Sequence, residues 1–446
     1  MQRDFSLTVD AADKQYICPG QTHPISRAVH LSRLAAFFPD CRNCPLRTDT
    51  GHLPKQTIER LQRTERRVPR RSLFSPEGVR GVYLNELTRL QAGRFAETLA
   101  SLLWDEAPLT GRRDNGRSAG RRTGPIVVVG FDERPSSPDI VTGVTAALRR
   151  MACQVVDIGL TTKPCFWFTA DHVQAAAGIF VTGAGREMSW TGLDIVGRET
   201  LPMSLGTGLE QIEARLEQPF QRPTRHSGSQ RMFQAAVPYE AGLWKHFHAL
   251  RPLTVCCGCP VRQVRRTLRQ LFARLPCRLK FIPIPDRPRQ LDADDDPDVQ
   301  TLSRAIREAD AHLGLLINDD AQCCAFVDEA GVLIPARQIT RLIANVVLSN
   351  HPGHSVVIEE ESVEPLRPLI EDAGGVCIGS GSTAGELSRT MRAHNAVFAG
   401  GDSGRFWFRE NIPTSDAILT LARILEALSR SDTPFSEAAR QTTATS

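Results

Sequence analysis

Two patterns of apolar residues alternate along this chain. Short continuous runs rich in Val and Ile predict buried strands, and stretches of helical period follow them. Ile126-Val-Val-Val129 is such a run; four consecutive β-branched residues predict a buried parallel strand, and Pro138 opens a helix over 139–151. A second unit has a strand at 154–158, the turn Gly159-Leu-Thr-Thr-Lys-Pro164 and a helix to about Val173. The strand 178–181 then breaks into the glycine-rich loop Gly183-Ala-Gly185 and resumes as a second apolar segment ending at Val196. Past a polar stretch at 218–230, expected to be a linker, the alternation resumes: strands at 253–257, 278–282 and 312–317, helices at 261–275 and 299–309. It recurs again with helices at 336–349 and 415–428 and strands at 355–358 and 376–379. Such alternation predicts an α/β protein with parallel strands and ligands at their carboxyl ends, which makes the loop at 183–185 a candidate active-site loop.

Composition narrows the class. With 446 residues, 41% of them hydrophobic and 23% charged, the chain predicts two to four folded domains. The N-terminus has no apolar signal region and no run reaches the roughly 20 apolar residues of a membrane span, so the expected location is the cytoplasm, without a membrane partner. A net charge of +4 is small for this length, and the arginine clusters at 60–71 and 111–122 lack interleaved aromatic residues, so they predict a solvated linker and loop rather than a nucleic-acid surface. The twelve cysteines are expected to be reduced thiols. Residues 1–70 stand apart as a module in which Cys18, Cys41 and Cys44, with His23 or His30, offer the ligand types of a structural zinc site; free thiols are the alternative. Cys256-Cys257-Gly-Cys259 and Cys323-Cys324 lie at strand ends and invite the same question, with burial as the simpler account.

Several landmarks in order resemble the α-D-phosphohexomutases, the phosphoglucomutase and phosphomannomutase family. Phe74-Ser-Pro-Glu-Gly-Val-Arg80-Gly looks like its opening motif, and Gly130-Phe-Asp132-Glu-Arg134-Pro-Ser136-Ser137 like its Gly-x-Asp-x-Arg-x-Ser-Ser. The turn at 159–164, the loop at 182–194, the segment 318–331 and Gly400-Gly-Asp-Ser403-Gly-Arg405 follow in the family's order. The resemblance implies three consecutive α/β/α domains with mixed, mostly parallel sheets, at 71–217, 235–334 and 335–430, behind the N-terminal module, with 431–446 as a disordered tail. No counterpart of the family's fourth domain follows residue 429.

The resemblance also marks departures. Ala184 stands at the family's phosphoserine, Gly185 at its histidine and Asp194 at its lysine. In the magnesium loop Asn318, Asp320 and Gln322 stand at the family's three aspartates, so only Asp320, with the displaced Asp319, remains, and tight magnesium binding is not expected. In the sugar loop Gly401 stands at the glutamate and Arg405 at the histidine, with Asp402 one residue away. Arg80, Arg134, Arg186, Ser403 and Arg405 remain as expected ligand-binding residues for a phosphorylated hexose. An internal ion pair with Asp132 or Glu133 is the alternative for Arg134. Thr182 and Ser189 are weak substitute phosphoryl acceptors. The expected function is therefore that of a catalytically impaired relative in carbohydrate metabolism that binds a phosphosugar. The alternatives are an active mutase with a rearranged site, completed by a partner chain, and a protein-interaction scaffold.

Overall fold

The computed structural model describes residues 16–18, 23–38, 40–41, 44–65, 72–106, 124–219, 221–289, 291–410 and 412–440. The chain divides into two compact units, 1–72 and 73–446. In the first, the helix Arg27–Ala35 is capped by Ser26, whose Oγ accepts the Val29 N–H at 3.4 Å. A second helix, Lys55–Glu65, occupies much of what the arginine-rich pattern predicts as linker; 66–71 lie outside the described residues, as does the loop 111–122. Leu34, Cys41 and Leu61 form a small core with Leu31, Phe37 and Leu53 packed on it.

The second unit is built on three sheets. The first contains β1 (Phe74–Ser75), β2 (Gly78–Val82), β3 (Ile126–Phe131), β4 (Gln154–Leu160), β5 (Ala177–Val181), β6 (Trp190–Val196) and β7 (Gln230–Met232), in spatial order β1-β2-β6-β5-β3-β4-β7. The second contains β8 (Thr254–Gly258), β9 (Arg278–Ile282), β10 (Leu313–Ile317), β11 (Cys324–Val327) and β12 (Leu333–Ile334), ordered β12-β11-β10-β8-β9. The third contains β13 (Ser355–Glu359), β14 (Val376–Ser380), β15 (Phe398–Gly400), β16 (Trp407–Arg409) and β17 (Pro413–Ser415), ordered β14-β13-β15-β16-β17. Each sheet is mixed. Its parallel strands are joined by helical crossovers, and hairpin-type strands extend one side.

The strands follow from burial. Val127, Val128 and Val129 are wholly buried because β3 lies inside its sheet with helices on both faces. The helix Ser137–Arg150 packs on the helix Arg89–Glu106, and one apolar core runs continuously from Phe166 and Trp167 through the second and third sheets.

Two expectations about polar segments are corrected. The stretch 218–230 docks along the first sheet, where the Val155 N–H donates to the Ser229 carbonyl at 2.9 Å and β7 pairs with β4. The tail holds a helix, Phe435–Arg440, with Phe435 buried against Phe326 at 6.1 Å between ring centroids. One aromatic residue at the right place supplies the apolar area that the polar composition hides.

Candidate functional site

The carboxyl ends of β3, β5 and β10 bring the candidate residues together. After β5 the chain enters the loop 182–189. Gly183 is needed because a Cβ there would lie 2.3 Å from the Trp190 carbonyl oxygen, and Gly185 because its φ is +76°. Ala184, half-buried, presents no hydroxyl. Thr182 is buried, and its Oγ1 accepts the Ala184 N–H at 3.0 Å; Ser189 is exposed at the loop's far end.

Arg134 organises this loop from below. Its guanidinium is buried and donates to the carbonyls of Glu187 (2.7 Å) and Arg186 (2.8 Å) and to Asp319 Oδ2 (3.0 Å). Of the two partners expected from the sequence, Asp132 is 3.6 Å away and also accepts Ser137 Oγ–H (2.5 Å) and the Gly183 N–H (3.2 Å), while Glu133 meets Arg262 at 3.0 Å. Asp319, from the loop after β10, accepts the Gly185 N–H at 3.0 and 3.1 Å through its two oxygens. Burial and the neighbouring Asp320 push its carboxyl up to about 6 even though the Gly185 N–H and Arg134 stabilise the anion.

A second group surrounds Asp194. Arg80 on β2 faces Gly192 on β6, where a Cβ would sit 2.8 Å from the arginine Cδ, so the glycine lets the side chain cross the sheet. Its Nη2 lies 2.6 Å from Asp194 Oδ1, and Lys163 Nζ lies 2.8 Å from Asp194 Oδ2. Burial alone would raise the Asp194 carboxyl, yet the two cations outweigh it and hold it below the usual range. Lys163 begins the helix Lys163–His172, which Thr162 caps. Together with Asp132, Arg134, Thr182, Asp319 and Asp320 it lines a cavity between the first and second sheets.

The sugar-loop counterpart is also tied down. Ser403 donates its N–H to Glu359 Oε2 at 3.0 Å and its hydroxyl to Glu359 Oε1. A Cβ at Gly401 would meet the same carboxylate at 2.3 Å, so Glu359 fills the space beside the position where the family carries its glutamate. Arg405 bonds Glu77 at 2.5 Å and the Cys323 sulfur at 3.2 Å, with Asp320 3.8 Å away; these contacts link all three sheets. Asp402 accepts from Arg337 (3.1 Å) and Ser362 (3.0 Å). Of the expected ligand residues, Arg80, Arg134, Ser403 and Arg405 thus meet internal carboxylates, while Arg186 is exposed, its guanidinium 5.5 Å from the Trp190 ring centroid. Lys163, Glu77 and Glu359 were missed by sequence reasoning. Lys163 and Glu359 had one usable signal: each stands at or just beyond the carboxyl end of a parallel strand.

The remnant magnesium loop does not fit that ion. Asp320 Oδ1 accepts the N–H groups of Gln322 and Cys323, both at 2.9 Å, Asp319 is turned to Gly185 and Arg134, and Gln322 donates to the Ser415 carbonyl at 3.2 Å. Magnesium takes six oxygens in near-octahedral geometry, and of the two carboxylates this loop offers, that of Asp319 is turned to Gly185 and Arg134. In the N-terminal unit, Cys18, Cys41 and Cys44 are buried, and burial followed by the charges of Cys18 and Cys44 raises the Cys41 thiol. His23 is exposed, and the His30 ring stacks on Tyr16 with Nε2 3.1 Å from the Asp49 carbonyl oxygen, so the fourth ligand expected from histidine is not supplied. Among the described residues no group of three or more His, Cys, Asp or Glu is arranged to hold a metal ion. Cys256, Cys257, Cys259 and Cys324 lie in apolar cores where burial raises their thiols, the opposite of a reactive thiolate. No helix among the described residues is long and apolar enough to cross a membrane.

Comparison with known proteins agrees with this geometry. Residues 71–222 match the family model for phosphoglucomutase/phosphomannomutase α/β/α domain I, and 337–445 that for domain III. The chain is 26% identical over 372 residues to a protein of Xanthomonas campestris pv. campestris named for phosphohexose mutases, covering 80% of this chain and 77% of that one. It is 26% identical over 380 residues to a phosphomannomutase/phosphoglucomutase of Pseudomonas aeruginosa, covering 80% and 74%. Among solved structures, a phosphoglucomutase/phosphomannomutase family protein from Burkholderia thailandensis superimposes with a TM-score of 0.71 at 22% identity, covering 82% of this chain and 78% of that one. The ordered landmarks, the three mixed sheets and these matches converge: the chain belongs to the α-D-phosphohexomutase superfamily.

Proposed function

We propose that this protein serves carbohydrate metabolism as a phosphohexomutase relative that binds a phosphorylated hexose at the carboxyl ends of its strands without the phosphoryl exchange of an ordinary mutase. The observation that carries this reading is the state of the loop tip: position 184 is alanine, and the Gly185 N–H beside it is taken by the Asp319 carboxylate at 3.0 Å. Phosphoryl transfer needs an acceptor with a base, and a metal or cation cluster where charge develops. Thr182, the nearest hydroxyl in sequence, is buried in a backbone contact, and the loop after β10 is committed to internal partners. Support for sugar binding comes from the polar lining of the cavity, whose carboxylates and cations are hydrogen-bonding partners for hydroxyl groups.

Lys163 favours a second reading. Its ammonium lies against the residue at the family's lysine position and lines the cavity, as a rearranged but active site would require. A phosphorus NMR time course with glucose 1-phosphate, mannose 1-phosphate, magnesium and a trace of hexose bisphosphate separates the two. Broadened substrate lines with no new signal are expected. A 6-phosphate signal above a boiled control refutes impairment and turns attention to Lys163; sharp, unchanged lines refute binding.

A further inference from the structure

We propose that the Gly185 N–H and the Arg134 guanidinium form an oxyanion site that the Asp319 carboxylate fills from within the chain, so that a phosphate group enters only by displacing Asp319. The naming of phosphate rests on the phosphosugar reading; the site itself rests on geometry. Both oxygens of Asp319 reach the Gly185 N–H, at 3.0 and 3.1 Å, and one lies 3.0 Å from Arg134 Nη2. One backbone N–H and one guanidinium converging on two oxygens is an arrangement for carboxylate and phosphate alike.

The cradle does not depend on its occupant. Arg134 is held by the Arg186 and Glu187 carbonyls at 2.8 and 2.7 Å, and Asp132 holds the Gly183 N–H at 3.2 Å, so loop and guanidinium stay in place when Asp319 leaves. Asp319, by contrast, comes from a separate loop, 134 residues away from Gly185 in sequence. It sits buried beside the like charge of Asp320, and turning outward rehydrates it. The site is open to a larger group on the glycine's side, where a Cβ at Gly185 would meet nothing within 4 Å. Arg186, the residue after Gly185, is exposed with its guanidinium over the Trp190 ring, and by swinging from that ring it would supply the second positive charge that a dianion needs and a carboxylate does not. Ligand entry and release of the contact between the first and second sheets are then one event, and Asp319 acts as an internal competitor.

Calorimetric titration of the full chain with sulfate, a stable dianion, and with glucose 1-phosphate tests this. Asp319→Asn, with unchanged near-ultraviolet circular dichroism, is expected to bind sulfate at least about tenfold more tightly than the wild type, a gain of roughly 1.4 kcal/mol. Arg186→Ala in that background is expected to lose several-fold of it. In the wild type, hydrogen exchange at saturating sulfate is expected to rise in 318–323 while 183–187 stay protected, a readout that needs no variant. Equal or weaker sulfate binding by Asp319→Asn, or no change in exchange at 318–323, overturns the proposal. If the wild type nevertheless binds glucose 1-phosphate, the phosphosugar reading survives that failure; if Asp319→Asn gains sulfate affinity but neither protein binds the sugar phosphate, the site stands and the phosphosugar reading falls.

Discussion

Replacing Asp194 by asparagine tests a buried carboxylate that holds two cations. Its side chain is 6% exposed and meets Arg80 at 2.6 Å and Lys163 at 2.8 Å, on side chains themselves 12% and 8% exposed. Removing one partner of a buried ion pair while leaving the other costs about 3–5 kcal/mol, because the orphaned charge stays desolvated. Here two cations are orphaned, but the amide oxygen can still accept from one of them, so Asp194→Asn is expected to cost about 3 kcal/mol. Adding Lys163→Met removes the excess cation. The double variant should therefore lose only about 1 kcal/mol, about 2 kcal/mol less than Asp194→Asn alone. Guanidinium unfolding followed by the fluorescence of the buried Trp167 and Trp407 measures both differences. A cost below about 1 kcal/mol for Asp194→Asn, with no rescue by the second substitution, would refute the claim that this cluster is held by its charges rather than by the packing around it.

Other outcomes follow from single contacts. Gly192→Ala places a Cβ 2.0 Å from the Val79 carbonyl oxygen and should part β2 from β6 at a cost above about 3 kcal/mol, whereas Gly185→Ala, which meets no atom within 4 Å, should cost only about 1–2 kcal/mol for its positive φ; equal costs in denaturant unfolding would contradict this. Burial raises the Asp416 carboxyl to about 6, against the pull of the Tyr239 hydroxyl at 2.6 Å and the N–H groups of Ile418 and Leu419. A folded-state pKa raised above the unfolded value means that protonation favours folding, so the stability it contributes is present at low pH and lost as pH rises through about 6. Asp416→Asn, which keeps a capping oxygen, should therefore gain on the wild type by up to about 3 kcal/mol between pH 4 and 7.5, and a difference that does not change with pH would argue against the buried charge. Phe435→Ala should cost about 3–5 kcal/mol and expose the 435–440 helix to limited proteolysis; unchanged stability would return that segment to the status of a loose tail.

The elements were legible in the sequence because their signals are local. The β-branched run 126–129, the proline at 138 and the helical period after it are read within a dozen residues, and β3 and the helix Ser137–Arg150 stand where they predict. The family was legible because its motifs keep their order. Binding roles for the arginines were inferred from the same motifs, but what each arginine touches was not readable there. Arg405 meets Glu77 from 328 residues away, Arg134 meets Asp319 across 185, and Ser403 meets Glu359 across 44. No periodicity spans such distances, and a charge looks the same in a sequence whether it faces a ligand or a carboxylate of its own chain.

The α/β architecture, the superfamily and the loss of the hydroxyl at 184 follow from residue types within local patterns along the chain. That Asp319 fills the loop's N–H site, that Lys163 and Arg80 share Asp194, and that Glu359 stands beside Gly401 emerge with the folded chain alone. Those pairings arise when separate strand ends are brought together, and buried charges then take whichever partner the packing places within about 3 Å, because an unpaired charge in that environment costs several kcal/mol.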